Sequence, residues 1–100
     1  MSASIQKDPI SRSDDLNVVR LRVAAGAAVP EHHSNVDVVV TVVRGTGTFT
    51  VEGAARPVGP GEVVVMRPRA RHSISASSDL ELVVVHARLR EGDAPASCGA

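Results

Sequence analysis

Four histidines are the side chains of this sequence best suited to metal binding or to proton transfer near neutral pH. His32 and His33 adjoin at the start of an apolar run, and His72 opens a later segment that alternates with serines. Two or three imidazoles, a carboxylate and an open coordination position would suit Zn, Ni, Mn or Fe(II). We interpret His86, which follows three valines, as a structural histidine, although strand register could aim it inward.

The segments around these histidines are predicted to be β-strands. Val and Thr dominate residues 36–43, directly after the histidine pair, and such residues favour strands over helices. Gly45-Thr46-Gly47 follows, and the tolerance of glycine for positive φ predicts a hairpin there. Further strands are predicted at 17–24, 48–52, 55–58, 62–66, 72–77 and 80–89, separated by Gly and Pro turns. Short strands at this spacing predict an all-β sandwich or barrel, at whose mouth His32 and His72 can converge.

The composition excludes several classes of function. The formal net charge is zero and Phe49 is the only aromatic residue, so the chain lacks both a basic excess and base-stacking rings for nucleic acid. The one cysteine, Cys98, cannot form an intramolecular disulfide, and the polar N-terminus lacks the apolar segment of a signal peptide. The apolar runs are too short to cross a bilayer as helices. We therefore expect a cytoplasmic protein without nucleic-acid or membrane partners.

The spacing of glycines and histidines over residues 17–90 resembles that of the cupin family. The first family motif, G-x5-H-x-H-x3-E-x6-G, is matched at Gly26, His32 and Gly45. The second, G-x5-P-x-G-x2-H-x3-N, is matched at Gly61 and His72. The resemblance implies an all-β fold, a small jelly-roll barrel of the cupin type. It also implies a divalent metal rather than an organic cofactor, and reactions such as dioxygenation, isomerisation or lyase chemistry on small acids or sugars.

Two of the family's usual ligand positions carry other residues. Ser34 stands at the second histidine, with His33 displaced by one, and Val38 stands at the glutamate, with Asp37 displaced by one. Neighbouring residues of a strand point to opposite faces, so the displaced residues reach the inner face only through a bulge or an irregular strand entrance. The candidate metal ligands are His32, His72, His33 and Asp37. The alternative is that the matched histidines are hydrogen-bonded polar residues that hold no metal.

The barrel interior and one arginine-rich loop supply the candidate ligand-binding residues, which are Arg67, Phe49 and Val40. Arg67 opens the loop RPRAR before His72, where arginines could clamp a carboxylate or phosphate or could simply stay hydrated. The predicted inner face comprises Val40, Val42, Phe49, Val51, Val63, Val65, Ile74, Leu82 and Val84.

The chain is predicted to form one domain over residues 16–90, after a flexible or edge-strand segment at 1–15 and before a disordered tail at 91–100. The strands at 36–43 and 80–89 are apolar on both faces, which predicts a homodimer with one face inside the barrel and the other against a partner subunit. Two functions stay open. One is a metal-dependent enzyme on a small oxygenated substrate, and the other is a non-catalytic small-molecule-binding or structural protein that has lost its metal.

Overall fold

The chain folds into two antiparallel sheets that enclose one core. The structure, a computed structural model, describes residues 4–88. Its strands are β1 (Ile5–Arg12), β2 (Leu16–Val23), β3 (Ala28–His32), β4 (Asp37–Arg44), β5 (Gly47–Val51), β6 (Ala54–Val58), β7 (Val63–Met66), β8 (His72–Ala76) and β9 (Leu80–Ala87). Sheet A has the order β1-β2-β9-β4-β7 and sheet B the order β3-β8-β5-β6. This arrangement confirms the predicted all-β jelly roll. No described residue belongs to a helix that could span a membrane.

Side chains from both sheets meet in the core, as the alternation of apolar residues predicts. Val40 and Val42 of β4 and Leu82 of β9 are buried from the side of sheet A, and Phe49 and Ile74 are buried from the side of sheet B. Val51 and Val84 are partly buried and pack against this cluster. Seven of the nine predicted inner-face residues therefore belong to the core or its edge.

The predicted inner face of β7 was wrong by one residue. Val63 and Val65 are 49% and 60% exposed, whereas Val64 and Met66 are buried. A one-residue shift in phase exchanges the two faces of a strand. Because β7 consists of VVVM, its sequence is apolar on both faces and carries no alternation that could set the phase.

The predicted hairpin at Gly45-Thr46-Gly47 is instead a crossover between the sheets. It joins β4 in sheet A to β5 in sheet B, so these consecutive strands do not pair with each other. Gly45 has φ of 91°, and a Cβ atom there would overlap the backbone oxygen of Asp79. Glycine is needed at this corner because two backbone segments touch, and not because a two-residue turn reverses one strand.

The two ends of the described chain differ from each other. At the N-terminal end, β1 pairs with β2 and forms an edge of sheet A. The last predicted strand, 80–89, is observed as Leu80–Ala87, and the predicted tail at 91–100 lies outside the described residues.

Sequence reasoning missed β3, which contains Pro30 and forms an edge of sheet B, where a strand tolerates proline.

Candidate metal and ligand site

His32 and His72 are neighbours on adjacent strands of sheet B. They are direct cross-strand partners on β3 and β8. Their Nε2 atoms lie 3.0 Å apart, and their rings meet edge to face with centroids 4.2 Å apart. His72 is buried, whereas His32 is more open to solvent. The fold thus brings together the two histidines that match the family motifs.

An irregularity in β3 aims His32 into the barrel. Val29 pairs with Ile74 and His32 pairs with His72. Between these two pairs β3 advances by three residues and β8 by only two, so β3 contains one extra residue. Without the extra residue, Val29 and His32 would point to opposite faces, because a strand alternates with a period of two. The bulge restores His32 to the inner face that Val29 and Ile74 share.

The outer nitrogen of each ring is fixed by a backbone carbonyl. The Nδ1 atom of His32 lies 2.8 Å from the oxygen of Pro30, and that of His72 lies 3.0 Å from the oxygen of Ala70. A carbonyl oxygen only accepts, so each Nδ1 carries the hydrogen and donates it. Each neutral ring therefore presents an unprotonated Nε2 to the other. Two lone pairs that face each other at 3.0 Å need a proton or a metal ion between them.

Burial makes the protonated form of His72 less favourable. Desolvation lowers the pKa of His72, and the nearby His32, His86 and His33 lower it further, while the hydrogen bond to Ala70 raises it. A buried imidazole that resists protonation keeps its lone pair available near neutral pH. Metal-binding histidines need this state, and they commonly donate the other ring N–H to a backbone carbonyl.

The histidine pair opens into a cavity of about 610 Å³ between the two sheets. This volume lies within the range of small-molecule sites, about 300–1,000 Å³. The walls are mostly aliphatic and come from β1, β2, β3, β4, β7, β8 and β9. The lining residues are Ile5, Lys7, Val19, Leu21, Val29, Pro30, Glu31, His32, Val38, Val40, Met66, His72, Ile74, Val84 and His86. The site therefore joins a polar histidine end to an apolar chamber.

His86 is a cavity residue that sequence reasoning treated as structural. It lies on β9 in phase with the core residues Leu82 and Val84. Burial lowers its pKa, and the charges of His32 and Lys7 lower it further. The alternation of β9 was the available signal, because counting in twos from Leu82 puts His86 on the inner face.

The structure does not bring His33 and Asp37 to the histidine pair. His33 is exposed beside His32, and Asp37 lies on the face of β4 opposite Val38. The Asp37 carboxylate pairs with the Nε atom of Arg67 at 2.9 Å. The bulge lies between Val29 and His32, so it turns His32 inward but does not do the same for His33 or Asp37. Among residues 4–88, no group of three or more His, Cys, Asp or Glu side chains is arranged to hold a metal ion.

The three predicted ligand-binding residues occupy different environments. Val40 lines the cavity, as expected of an inward residue of β4. Phe49 is 1% exposed and fills the core away from the cavity wall. Arg67 is engaged by Asp37 outside the cavity. Its loop neighbour Arg71 lies 4.0 Å from the carboxylate of Glu31 at the cavity rim.

The two inward histidines fit as neighbouring ligands of one cation. Imidazole nitrogens that bind a metal at about 2.1 Å in neighbouring octahedral positions are separated by about 3 Å. The Nε2 atoms of His32 and His72 match this separation. Their hydrogen-bonded Nδ1 atoms give the tautomer that ligation requires. Water or a bound ligand would have to supply the remaining coordination positions.

Comparisons with known proteins agree with this architecture. The cupin domain family model matches residues 19–88. No curated protein matches the chain. A solved RmlC-like cupin from Shewanella frigidimarina has a TM-score of 0.83 at 18% identity, covering 92% of this chain and 83% of that one. The structure of KdgF from Halomonas sp. has a TM-score of 0.78 at 25% identity, covering 89% and 83%.

A longer enzyme contains the same fold within a larger chain. Salicylate 1,2-dioxygenase from Pseudaminobacter salicylatoxidans has a TM-score of 0.80 at 15% identity, and the match covers 86% of this chain but 27% of the enzyme. Likeness at such identity establishes the fold and leaves function to be argued from the site. The family match spans most of the chain and includes both inward histidines of the pair, so this protein belongs to the cupin family.

Proposed function

We propose that this cupin binds a divalent metal ion through the Nε2 atoms of His32 and His72, together with a small-molecule ligand in the adjoining cavity. The observation that carries the proposal is the facing pair of Nε2 atoms, 3.0 Å apart, on rings whose Nδ1 hydrogens are already donated to carbonyls. Such a pair attracts a cation into the gap. Zn, Ni, Mn and Fe are the ions for which imidazole is a suitable ligand.

The site would serve a metal-dependent enzyme acting on a small oxygenated substrate. A cation held by the two imidazoles would supply Lewis-acid polarisation of a substrate oxygen. The protein would contribute an aliphatic chamber that excludes water around the bound molecule, and two histidines held in one tautomer. One protein with this fold is named as a dioxygenase, and the case for this chain rests on its own histidine pair.

A metal-free binding barrel is the alternative function. Two observations favour it: no third protein ligand adjoins the pair among residues 4–88, and Val38 puts an apolar side chain at the glutamate position of the motif. In that case a proton would occupy the gap between the rings. The cavity would then hold its ligand without chemistry.

Elemental analysis separates the two functions. The full chain is purified without a polyhistidine tag or a chelator, and its metal content is measured beside that of a His32→Ala/His72→Ala double variant. About one metal ion per subunit, lost in the double variant, is the expected result. Metal that stays in the double variant would overturn the site. Wild-type protein that stays metal-free after incubation with Zn²⁺, Ni²⁺, Mn²⁺ and Fe²⁺ would favour the metal-free barrel.

We further propose that the protein is a cytoplasmic homodimer. The outer face of sheet A carries a row of valines across four strands, at Val18, Val85, Val39 and Val65, which are cross-strand partners in turn. Val63 continues this apolar surface on β7. An apolar sheet face normally packs against another layer, and a second copy of the chain is the partner present wherever the protein is made.

A further inference from the structure

We propose that the cavity selects a monocarboxylate with an apolar body, and that the ammonium group of Lys7 on β1 holds the carboxylate. The inference rests on the proposed function only in taking the cavity as a ligand site, and it does not require a metal. It makes the N-terminal edge strand part of the binding site.

Strand β1 presents Lys7 to the cavity. Ile5 and Lys7 both line it, whereas Asp8 points outward, where its carboxylate lies 3.8 Å from the guanidinium of Arg22. Lys7 is the cross-strand partner of Leu21, a buried residue of the same cavity wall. The lysine therefore stands beside an apolar surface, along which its methylene groups can pack while the ammonium remains hydrated.

Lys7 has no ionic partner among residues 4–88. Five arginines of the described chain are within ion-pair distance of a carboxylate, but no hydrogen bond or ion pair involves the Lys7 ammonium. Lys7 is exposed at the mouth of the aliphatic chamber, where its ammonium can meet the carboxylate of a molecule whose hydrocarbon body lies inside the chamber. The site thus has a positive group that pairs with no carboxylate of residues 4–88.

The other ionisable groups of the cavity do not neutralise Lys7. Glu31 lies at the rim, with its carboxylate towards Arg71 at 4.0 Å. The cavity histidines His32, His72 and His86 carry no negative charge whether neutral or protonated, so none of them is a counter-ion for the ammonium group. One unpaired positive charge suits a singly charged carboxylate better than a phosphate dianion, and the valine, leucine and methionine walls suit a hydrocarbon body.

Nothing in the family match assigns this role. Lys7 precedes residues 19–88, over which the chain matches the cupin domain, and it belongs to neither histidine motif. Lys7 reaches the cavity because β1 lies at the edge of sheet A and its inner face borders the cavity.

The test compares hexanoate with hexanamide, which share a hydrocarbon chain and differ in charge. Both are titrated calorimetrically into the full-length wild type, Lys7→Gln, Lys7→Arg and Arg12→Gln. Arg12→Gln is the matched control, since it removes one positive charge from the exposed end of the same strand, outside the cavity. We expect hexanoate to bind the wild type at least about tenfold more tightly than hexanamide, and Lys7→Gln to lose about that factor, as for a charge-assisted hydrogen bond. Lys7→Arg and Arg12→Gln should retain the preference.

Running each titration with EDTA and again with one equivalent of Zn²⁺ separates this inference from the metal site. A Lys7-dependent preference for hexanoate in protein that binds no Zn²⁺ would support the lysine and overturn the metal proposal alone. Three outcomes would overturn the role of Lys7, whatever the Zn²⁺ titration gives. They are equal binding of hexanoate and hexanamide, no binding of hexanoate, and an affinity for hexanoate that Lys7→Gln leaves unchanged. Circular dichroism confirms that each variant is folded.

Discussion

The Nε2 atoms of His32 and His72 face each other at 3.0 Å, while the Nδ1 atom of each ring donates to the carbonyl two residues before it in the chain. The same local hydrogen bond thus sets the same tautomer on two different strands. Neither ring can donate to the other in its neutral form. The proposed function puts a metal ion between these two nitrogen atoms, and burial of His72 disfavours a proton there.

Removing either inward histidine should abolish tight metal binding, and removing their neighbour should not. His32→Ala or His72→Ala is expected to weaken Zn²⁺ binding at least about a hundredfold, because each takes away one of two protein ligands. His33→Ala is the matched control, since His33 adjoins His32 but is exposed and does not line the cavity. Calorimetric titration of chelator-treated protein measures the three affinities. An equal loss in His33→Ala would mean that β3 enters the barrel in another register.

Stability of the metal-free protein should decrease with acid in a way that depends on His86. Burial lowers the pKa of His86 in the folded state, so the unfolded chain takes up its proton first as the pH falls. The free energy of unfolding should therefore be highest above about pH 6.5 and should drop as the pH falls towards the lowered value. Urea unfolding in EDTA at several pH values should show a shallower drop for His86→Gln. The same slope in both proteins would contradict the burial of His86.

Gly45 and Gly53 form a matched pair for testing the crossover between the sheets. Both have positive φ, 91° and 83°, but a Cβ atom at Gly45 would overlap Asp79, whereas at Gly53 it would meet nothing within 4 Å. Gly53→Ala should lose about 1–2 kcal/mol of stability through its backbone alone. Gly45→Ala should lose about 1–3 kcal/mol more, because backbone atoms must move. Chemical unfolding measures both, and equal losses would show that the two segments do not touch.

The proposed dimer should dissociate when a charge enters the outer valine row. Val65→Lys puts an ammonium group on the outer face of sheet A, where burial against a second copy would be costly. Ala55→Lys is the control, since Ala55 is an exposed residue of sheet B. Light scattering should give a dimer mass for the wild type and the control, and a monomer mass for Val65→Lys. A monomeric wild type would contradict the dimer.

The sequence predicted the fold and the central pair of the site because both depend on spacing that survives divergence. Alternation fixed the inward residues of β4 and β9, and the motif spacing selected His32 and His72 from four histidines. Alternation failed for β7, where VVVM is apolar at every position and does not show which residues point inward. It also failed for β3, where Pro30 hid an edge strand. The bulge that turns His32 inward has no local sequence signal. The sequence alone therefore did not decide whether an irregular strand would also bring His33 and Asp37 to the inner face.

The most direct test of the histidine pair is the NMR spectrum of its imidazole nitrogens. Long-range ¹H–¹⁵N correlation on metal-free protein reports which nitrogen of each ring carries the hydrogen. We predict that His32 and His72 carry it on Nδ1, and that one equivalent of Zn²⁺ shifts the Nε2 signals of these two rings and not that of His33. A hydrogen on Nε2 of both rings, or Nε2 signals that Zn²⁺ leaves unchanged, would contradict a metal site at this pair.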